Sequence, residues 1–404
     1  MPRHEVLALI LAGGQGGRLE VLTEERAKPA LPFAGVYRLI DFSLSHCVHS
    51  RIPDVWVVEQ YEPHSLNEHL SNGRPWDLDR TRGGLQVLPP YQQRSRDGDG
   101  GFSAGNADAI YRHRGFLREL DPELLLVLSA DHIYKLDFRE VIRTHREHEA
   151  GVTMVTTRVP REEAGRFGVV ETDSDGRVTG FAYKPDEPES DIVTAEVFVY
   201  RTRKLLDTLD QIASEAEDGE APLKDFGHEL IPQLVEEGCA WEHRLDGYWK
   251  DVGTVESYFQ AHMDLLDPEP ALALDDPDWP ILTVGHQRLP ARILEAARID
   301  DSLVSPGARV EGRVVRSVLG PGVVVEKDAE IRDSILLDDT VVRSGARVHR
   351  SIVDADVRVG DGAVVGGAGE GAVEITLVGR RARIASGARV EAGARIGPRV
   401  RIGG

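Results

Sequence analysis

The sequence predicts an α/β chain in two parts, a mostly parallel sheet covered by helices followed by a coil of short flat strands. Three observations carry this. Residues 1–265 alternate short apolar runs with helical stretches. Residues 266–290 (LDPEPALALDDPDWPILTVGHQRLP) hold five prolines and four aspartates and read as a linker. From 291 to 404, aliphatic residues recur at every sixth position.

The elements follow in order. Residues 6–11 read as a buried strand that ends in a glycine turn, and DVWVVE at 54–59 as a second strand. Residues 124–128 make a third, ending at Ser129-Ala130-Asp131, and residues 151–159 a fourth. Helices fall between them, one over 138–150. Unbroken apolar runs rather than alternation mark strands buried on both faces, as in parallel sheets. Ligands of such sheets bind outside the carboxyl ends of the strands. This predicts that residues 13–18 and Asp131 share one crevice. In the second part, Val378, Ile384, Val390, Ile396 and Ile402 form one unbroken series. Leu336, Val342 and Val348, then Val353, Val359 and Val365, form shorter ones. A period of six cannot make an amphipathic helix, and a sandwich would alternate with period two. Three flat strands per turn, with the aliphatic residues stacked inward, satisfy it. Slips of register between the series mark corners and loops.

Composition narrows the function. The chain has 404 residues, 29% charged and 41% apolar, with a formal net charge of −20. That balance argues against bulk nucleic-acid binding, which needs a basic surface, and leaves room for a local basic pocket. Cys47 and Cys239 lie far apart, which argues against a disulfide framework or a cysteine zinc site. The run at 6–11 is too short to span a membrane and is followed by glycines rather than a cleavage site. The expectation is a reduced, soluble, cytoplasmic protein.

The glycine turn reads Leu11-Ala12-Gly13-Gly14-Gln15-Gly16-Gly17-Arg18-Leu19. It lacks the Lys-Ser/Thr of a Walker loop and the third glycine of a dinucleotide fingerprint. Glycines let backbone N–H groups approach an anion, and Arg18 adds a bidentate phosphate donor. Lys28 follows in Arg26-Ala27-Lys28-Pro29. Glycines alone fit a structural turn equally well; with Arg18 and Lys28 they read as a triphosphate cradle. His145 and His148 read as part of a solvated helix face. Seven arginines from Arg380 to Arg401, offset only by Glu391, make a local basic surface. They fit either a solvated outer face or an effector site.

The stretch LAGGQGGRLEVLTEERAKPALPFAGVYRLIDFSLSHC resembles the N-terminus of the ADP-glucose pyrophosphorylases (glucose-1-phosphate adenylyltransferases). LPPYQQR, GNADAIY, SADHIYKLDF, FGVVETD, DFGHELIP and GYWKDVGTVESYFQAHMDLL continue the likeness in order. The resemblance implies a Rossmann-like catalytic domain and a C-terminal left-handed parallel β-helix. The implied reaction is attack of a sugar-1-phosphate on the α-phosphorus of ATP or another nucleoside triphosphate, with Mg2+ as cofactor. Arg18, Lys28 and Asp131 would be catalytic, and Asp131 and Asp251 would hold the metal. Leu11, Ala12, Gly13, Gly14, Gly16, Gln92, Gln93, Gly105 and Asn106 would contact the nucleotide. Gly168, Tyr183, Lys184, Thr194, Glu196 and Asp251 would contact the sugar phosphate. Arg26 and Arg38 would contribute to a site for a phosphorylated effector. The implied assembly is a homotetramer.

The chain departs from the pattern in places. Gly17 replaces a threonine, Ala130 a glycine and Asn106 a threonine. Tyr183 stands where the family has glutamate, and Glu196 where it has glycine. A carboxylate is lost from the sugar pocket and another gained nearby; a buried Glu196 would need a donor. An amino sugar such as glucosamine-1-phosphate would supply one, which keeps a different sugar phosphate open. A non-catalytic regulatory paralogue that binds sugar phosphates is a second alternative. It is disfavoured because Arg18, Lys28, Asp131, Lys184 and Asp251 are all present. A hexad-repeat acyltransferase ranks last, since His349 is the one histidine in the hexads.

Overall fold

The computed structural model describes residues 5–14, 16–89, 103, 105–215, 223–285, 287–367 and 374–403. The chain divides into two compact units. The first comprises Met1–Gly14, Phe42–Pro63 and Leu70–Trp249, and the second Gln15–Asp41, His64–His69 and Lys250–Gly404. The sequence reading drew its boundaries at 265 and 291 along the chain; the compact grouping instead takes residues 15–41 out of the N-terminal part and joins them to the coil.

The first unit is built on a nine-stranded sheet. Its strands are β1 (Val6–Ala12), β2 (Asp54–Glu59), β3 (Gly84–Leu88), β4 (Leu124–Ser129), β5 (Val152–Arg158), β6 (Gly168–Thr172), β7 (Val178–Tyr183), β8 (Ile192–Arg201) and β9 (Ala240–Arg244). The order is β7-β6-β8-β4-β1-β2-β3, with β5 and β9 joined through β8. The β1, β2, β3 and β4 neighbours run parallel, as the continuous apolar runs require. β8 is antiparallel to β4, β5 and β6. The sheet is therefore mixed but mostly parallel in its N-terminal half. Leu11 pairs with Ser129, so the glycine turn and the Ala130-Asp131 bend leave adjacent strands at the same sheet edge.

In the second unit, residues from 292 onward form three parallel sheets of two- and three-residue strands, seven, six and six in number. This is the coil expected of a left-handed β-helix. The inward ladder contains Val310, Val325, Val342, Val359 and Ile384, all buried. Between 325, 342 and 359 the rungs are 17 residues apart, one short of three hexads. The missing residue is absorbed at one corner, where the step from Val348 to Val353 is five. There Asp301, Arg316, Asp333 and Arg350 take φ of 41–44°, each just before a serine. On the third sheet the outward Val318, Ile335, Ile352 and Leu377 are buried too. Residues 15–41 and the helix Val255–Met263 cover this region. A Cβ on Gly35 would meet the Ser305 hydroxyl at 2.1 Å, and the Arg350 guanidinium lies 5.4 Å over the Phe259 ring.

Candidate active site

In the second unit, three of the expected groups come together. Lys28 opens a short 3-10 turn, Lys28–Ala30, and is buried although charged. Its Nζ lies 3.9 Å from Asp251 Oδ1. Asp251 ends the strand Trp249–Asp251, just ahead of the helix Val255–Met263. That helix is started by a capping box in which Thr254 and Ser257 satisfy each other's backbone N–H groups. Between strand and cap stands Gly253. A Cβ there would lie 2.8 Å from Asp251 Oδ1 and 3.1 Å from Arg18 Nη2. Arg18, Asp251 and Lys28 thus share a small space that exists because residue 253 has no side chain. The loop leading to Arg18 turns at Gly16, φ 68°, whose carbonyl accepts from Thr23 Oγ1 at 2.9 Å.

The first unit carries a second group. Leu11 and Ala12 are the last residues of β1, and a Cβ on Gly13 would meet Gln60 Oε1 at 2.7 Å; Gly14 is unobstructed. Asp131 follows β4, and Ser129 Oγ donates to its Oδ1. The His132 ring, nearly buried, bridges towards two carboxylates. Its Nδ1 bonds the Ala195 carbonyl at 3.2 Å, and its Nε2 lies 3.8 Å from Asp131 Oδ1 and 3.9 Å from Glu196 Oε2. Glu196 sits at φ 52° where the β8 pairing with β5 slips between Thr194 and Phe198. That left-handed backbone accounts for a preference for glycine at this position. The Glu196 side chain is 45% exposed, so the burial considered from the sequence does not arise.

Gly168 pairs with Tyr183, and the room for its Cβ is taken by the Phe181 ring at 2.8 Å and Thr194 Oγ1 at 3.1 Å. Gly105 caps the helix Asn106–Arg112, and a Cβ on it would strike the Lys224 backbone at 2.4 Å. Asn106 accepts from the Phe226 N–H at 2.6 Å, and its own N–H donates to Asp225 Oδ1 at 3.2 Å. Asp225 Oδ2 accepts from the Tyr183 hydroxyl at 2.8 Å, which accepts in turn from Lys184 Nζ at 2.9 Å. Sequence reasoning did not single out Asp225 or Gly253, although both stand inside the quoted blocks DFGHELIP and GYWKDVGT. Gln92 and Gln93 lie outside the described residues.

The two proposed effector arginines lie in the second unit. Arg26 Nη2 donates to Asp354 Oδ1 at 2.7 Å, both side chains buried. Burial works against the Arg26 charge, but Asp354 outweighs it and the guanidinium pKa is raised. Arg38 Nη2 pairs with Asp338 Oδ2 at 3.1 Å. Among the described residues, Arg26 Nη1 and Asp338 Oδ1 are buried without a hydrogen-bond partner. The late arginines are less unbalanced than the sequence implied, because Arg395 pairs with Glu20 and Arg399 with Glu25 at 3.0 Å. The reading of His145 as solvated needs correction. Its ring is buried and bonds Thr153 Oγ1 at 3.0 Å, because residue 145 falls on the apolar side of the helix Phe138–Glu147. His148 is exposed and stacks on Trp241 at 3.8 Å.

No three His, Cys, Asp or Glu side chains gather as a metal cage among the described residues. No helix among the described residues is long and apolar enough to cross a membrane. Cys47 and Cys239 are free thiols. Residues 7–268 match the Nucleotidyl transferase family, and residues 290–380 the GlmU-like, C-terminal hexapeptide family. The chain is 44% identical over 395 residues to the glucose-1-phosphate adenylyltransferase of Thermomicrobium roseum, covering 95% of this chain and 91% of that one. It is 42% identical over 332 residues to that of Clostridium acetobutylicum, covering 82% and 86%. The Bacillus cereus protein of the same name is 38% identical over 364 residues, covering 90% and 95%.

Proposed function

Because the chain belongs to the nucleotidyl transferase family, alongside its glucose-1-phosphate adenylyltransferases, we infer that it transfers the adenylyl group of ATP to glucose-1-phosphate. The products are ADP-glucose, the precursor for α-glucan synthesis, and pyrophosphate. The structural observation that supports this reading is the Arg18–Lys28–Asp251 cluster around Gly253. Two highly charged anions must meet in this reaction, so the protein's work is to neutralise and orient them. Arg18 and Lys28 bind the triphosphate and hold the negative charge that builds on the departing pyrophosphate. Lys184 takes the sugar phosphate. The glycine turn presents backbone N–H groups to the nucleotide, and the Gly105-Asn106 turn lies against its base. No side chain needs to form a covalent intermediate.

Asp131 and Asp251 are the carboxylates that the resemblance assigns to Mg2+. Their hard, partly exposed oxygens suit an ion that binds through one or two carboxylates and takes its remaining ligands from water and phosphate. Such an ion, when bound, supplies charge neutralisation at the phosphates. We further place the enzyme in the cytoplasm, expect a homotetramer, and keep residues 1–265 as the catalytic stretch and 291–404 as the β-helix. Effector binding is assigned to the Arg26 and Arg38 region, where an anion would have to compete with Asp354 and Asp338.

Pyrophosphate release tests the reading, with ATP, GTP, UTP and dTTP each paired with a panel of sugar phosphates. ATP with glucose-1-phosphate is the expected best pair. Glucosamine-1-phosphate outrunning glucose-1-phosphate in kcat/KM would favour the amino-sugar alternative, and no turnover with any pair would favour the non-catalytic one. Lys28→Ala should lower kcat by about 100-fold.

A further inference from the structure

The lysine assigned to the sugar phosphate is held by a chain of hydrogen bonds that ends far away in sequence, at Asp225. Lys184 Nζ donates to the Tyr183 hydroxyl at 2.9 Å, and that hydroxyl donates to Asp225 Oδ2 at 2.8 Å. The other Asp225 oxygen accepts the Asn106 N–H at 3.2 Å. The direction of this chain is fixed. An ammonium can only donate, a carboxylate can only accept, and the phenol between them must do both. Burial and the adjacent Asp225 raise the Tyr183 pKa well above the usual phenol range, so the hydroxyl keeps its proton.

The geometry leaves Tyr183 little freedom. Its ring lies over Gly227, where a Cβ would come within 2.1 Å, and stands edge-on to His228 at 4.8 Å. Lys184 itself takes φ 48°, and its N–H donates to the Phe167 carbonyl at 3.0 Å. This turn brings the ammonium back over the Tyr183 ring, 4.6 Å from its centre. A lysine otherwise has a long flexible stem with much rotamer freedom to lose on binding.

We propose that Asp225 and Tyr183 are positioning residues that hold the Lys184 ammonium ready for the sugar phosphate, Tyr183 doing so from a position where the resembling family has a carboxylate. The assignment rests on the role given to Lys184 above. Asp225 also ties that lysine to the start of the Asn106–Arg112 helix, the turn assigned to the nucleotide.

A double-mutant cycle on the full-length enzyme tests this, with KM for each substrate, kcat and melting temperature as readouts. Tyr183→Phe keeps the ring and removes the hydroxyl. It should raise KM for glucose-1-phosphate about tenfold, the scale of a hydrogen bond to a charged group. Its kcat, its KM for ATP and its melting temperature should stay near wild type. In a Lys184→Ala background the same change should add nothing. Full additivity of the two changes would overturn the proposal. So would an unchanged glucose-1-phosphate KM in Tyr183→Phe, or an equal rise in both KM values with a lower melting temperature. A wild type that binds no sugar-1-phosphate in titration overturns the functional reading as well. A wild type that turns over normally while the cycle is additive overturns only the Asp225–Tyr183 assignment.

Discussion

Asp354 shows how one side chain can matter more than its neighbours. It holds the buried Arg26 guanidinium, and removing it leaves a charge without its partner. Asp354→Ala should cost about 3–5 kcal/mol, seen as a lower melting temperature, and Arg26→Met together with Asp354→Leu should recover most of that loss. An unchanged melting temperature in the single variant would contradict the pairing. Gly253 matters for the opposite reason, by having nothing to contribute. The methyl of Gly253→Ala would push into the space of Asp251 and Arg18, and a displacement near 1 Å costs about 100-fold in rate. The expected result is a large fall in kcat/KM for ATP; normal turnover would show that the cluster tolerates the shift. Asp251 was legible from its motif and Gly253 was not. The need for glycine comes from the carboxylate of Asp251, 2.8 Å from a Cβ there, and from Arg18, more than two hundred positions earlier, at 3.1 Å.

At the scale of elements, the coil was legible because each strand needs one inward aliphatic residue and the chain repeats that need. The corners were less so. The backbone N–H groups of Ser317, Ser334 and Ser351 each donate to the serine hydroxyl one coil earlier, at 3.1–3.2 Å. Each hydroxyl then donates to the carbonyl two residues before it, at 2.7 Å. This ladder occupies the corner where the step shrinks to five, which the sequence shows only as a slip. Ser334→Ala strands the buried Ser351 N–H and should cost about 1–3 kcal/mol in denaturant unfolding. A change below the error of that measurement would mean the ladder is incidental. In the first unit, β1, β2 and β4 were legible as unbroken apolar runs. The antiparallel β8 was not, because pairing direction leaves no mark in composition.

For the molecule as a whole, buried imidazoles set the response to acid. His46, His145 and His262 are buried, and burial lowers each pKa from 6.5 to about 4. His262 must stay neutral on geometric grounds as well, since its Nδ1 donates to the Tyr258 carbonyl while its Nε2 accepts the Ala34 N–H at 3.2 Å. The unfolded chain protonates these rings near pH 6.5 and the folded chain only near pH 4. The stability they contribute is therefore complete above pH 6.5 and declines as pH falls towards 4, by about 1.4 kcal/mol per pH unit for each ring. Melting temperature should fall between pH 6.5 and 5, above the carboxylate range, with proton uptake on unfolding; a flat profile there would refute it.

The sequence by itself determined the parallel strands and the coil, because those follow from local spacing of apolar residues, and its resemblance to a known family marked which lysines, arginines and aspartates stand in matching motifs. Tertiary structure alone decided that residues 15–41 join the unit of the coil, that Arg26 is neutralised by Asp354, and that Asp225 reaches Lys184 through Tyr183. Each of these is a contact between side chains remote in sequence. Burial sets its strength, and burial is a property of the packed chain rather than of any stretch of it.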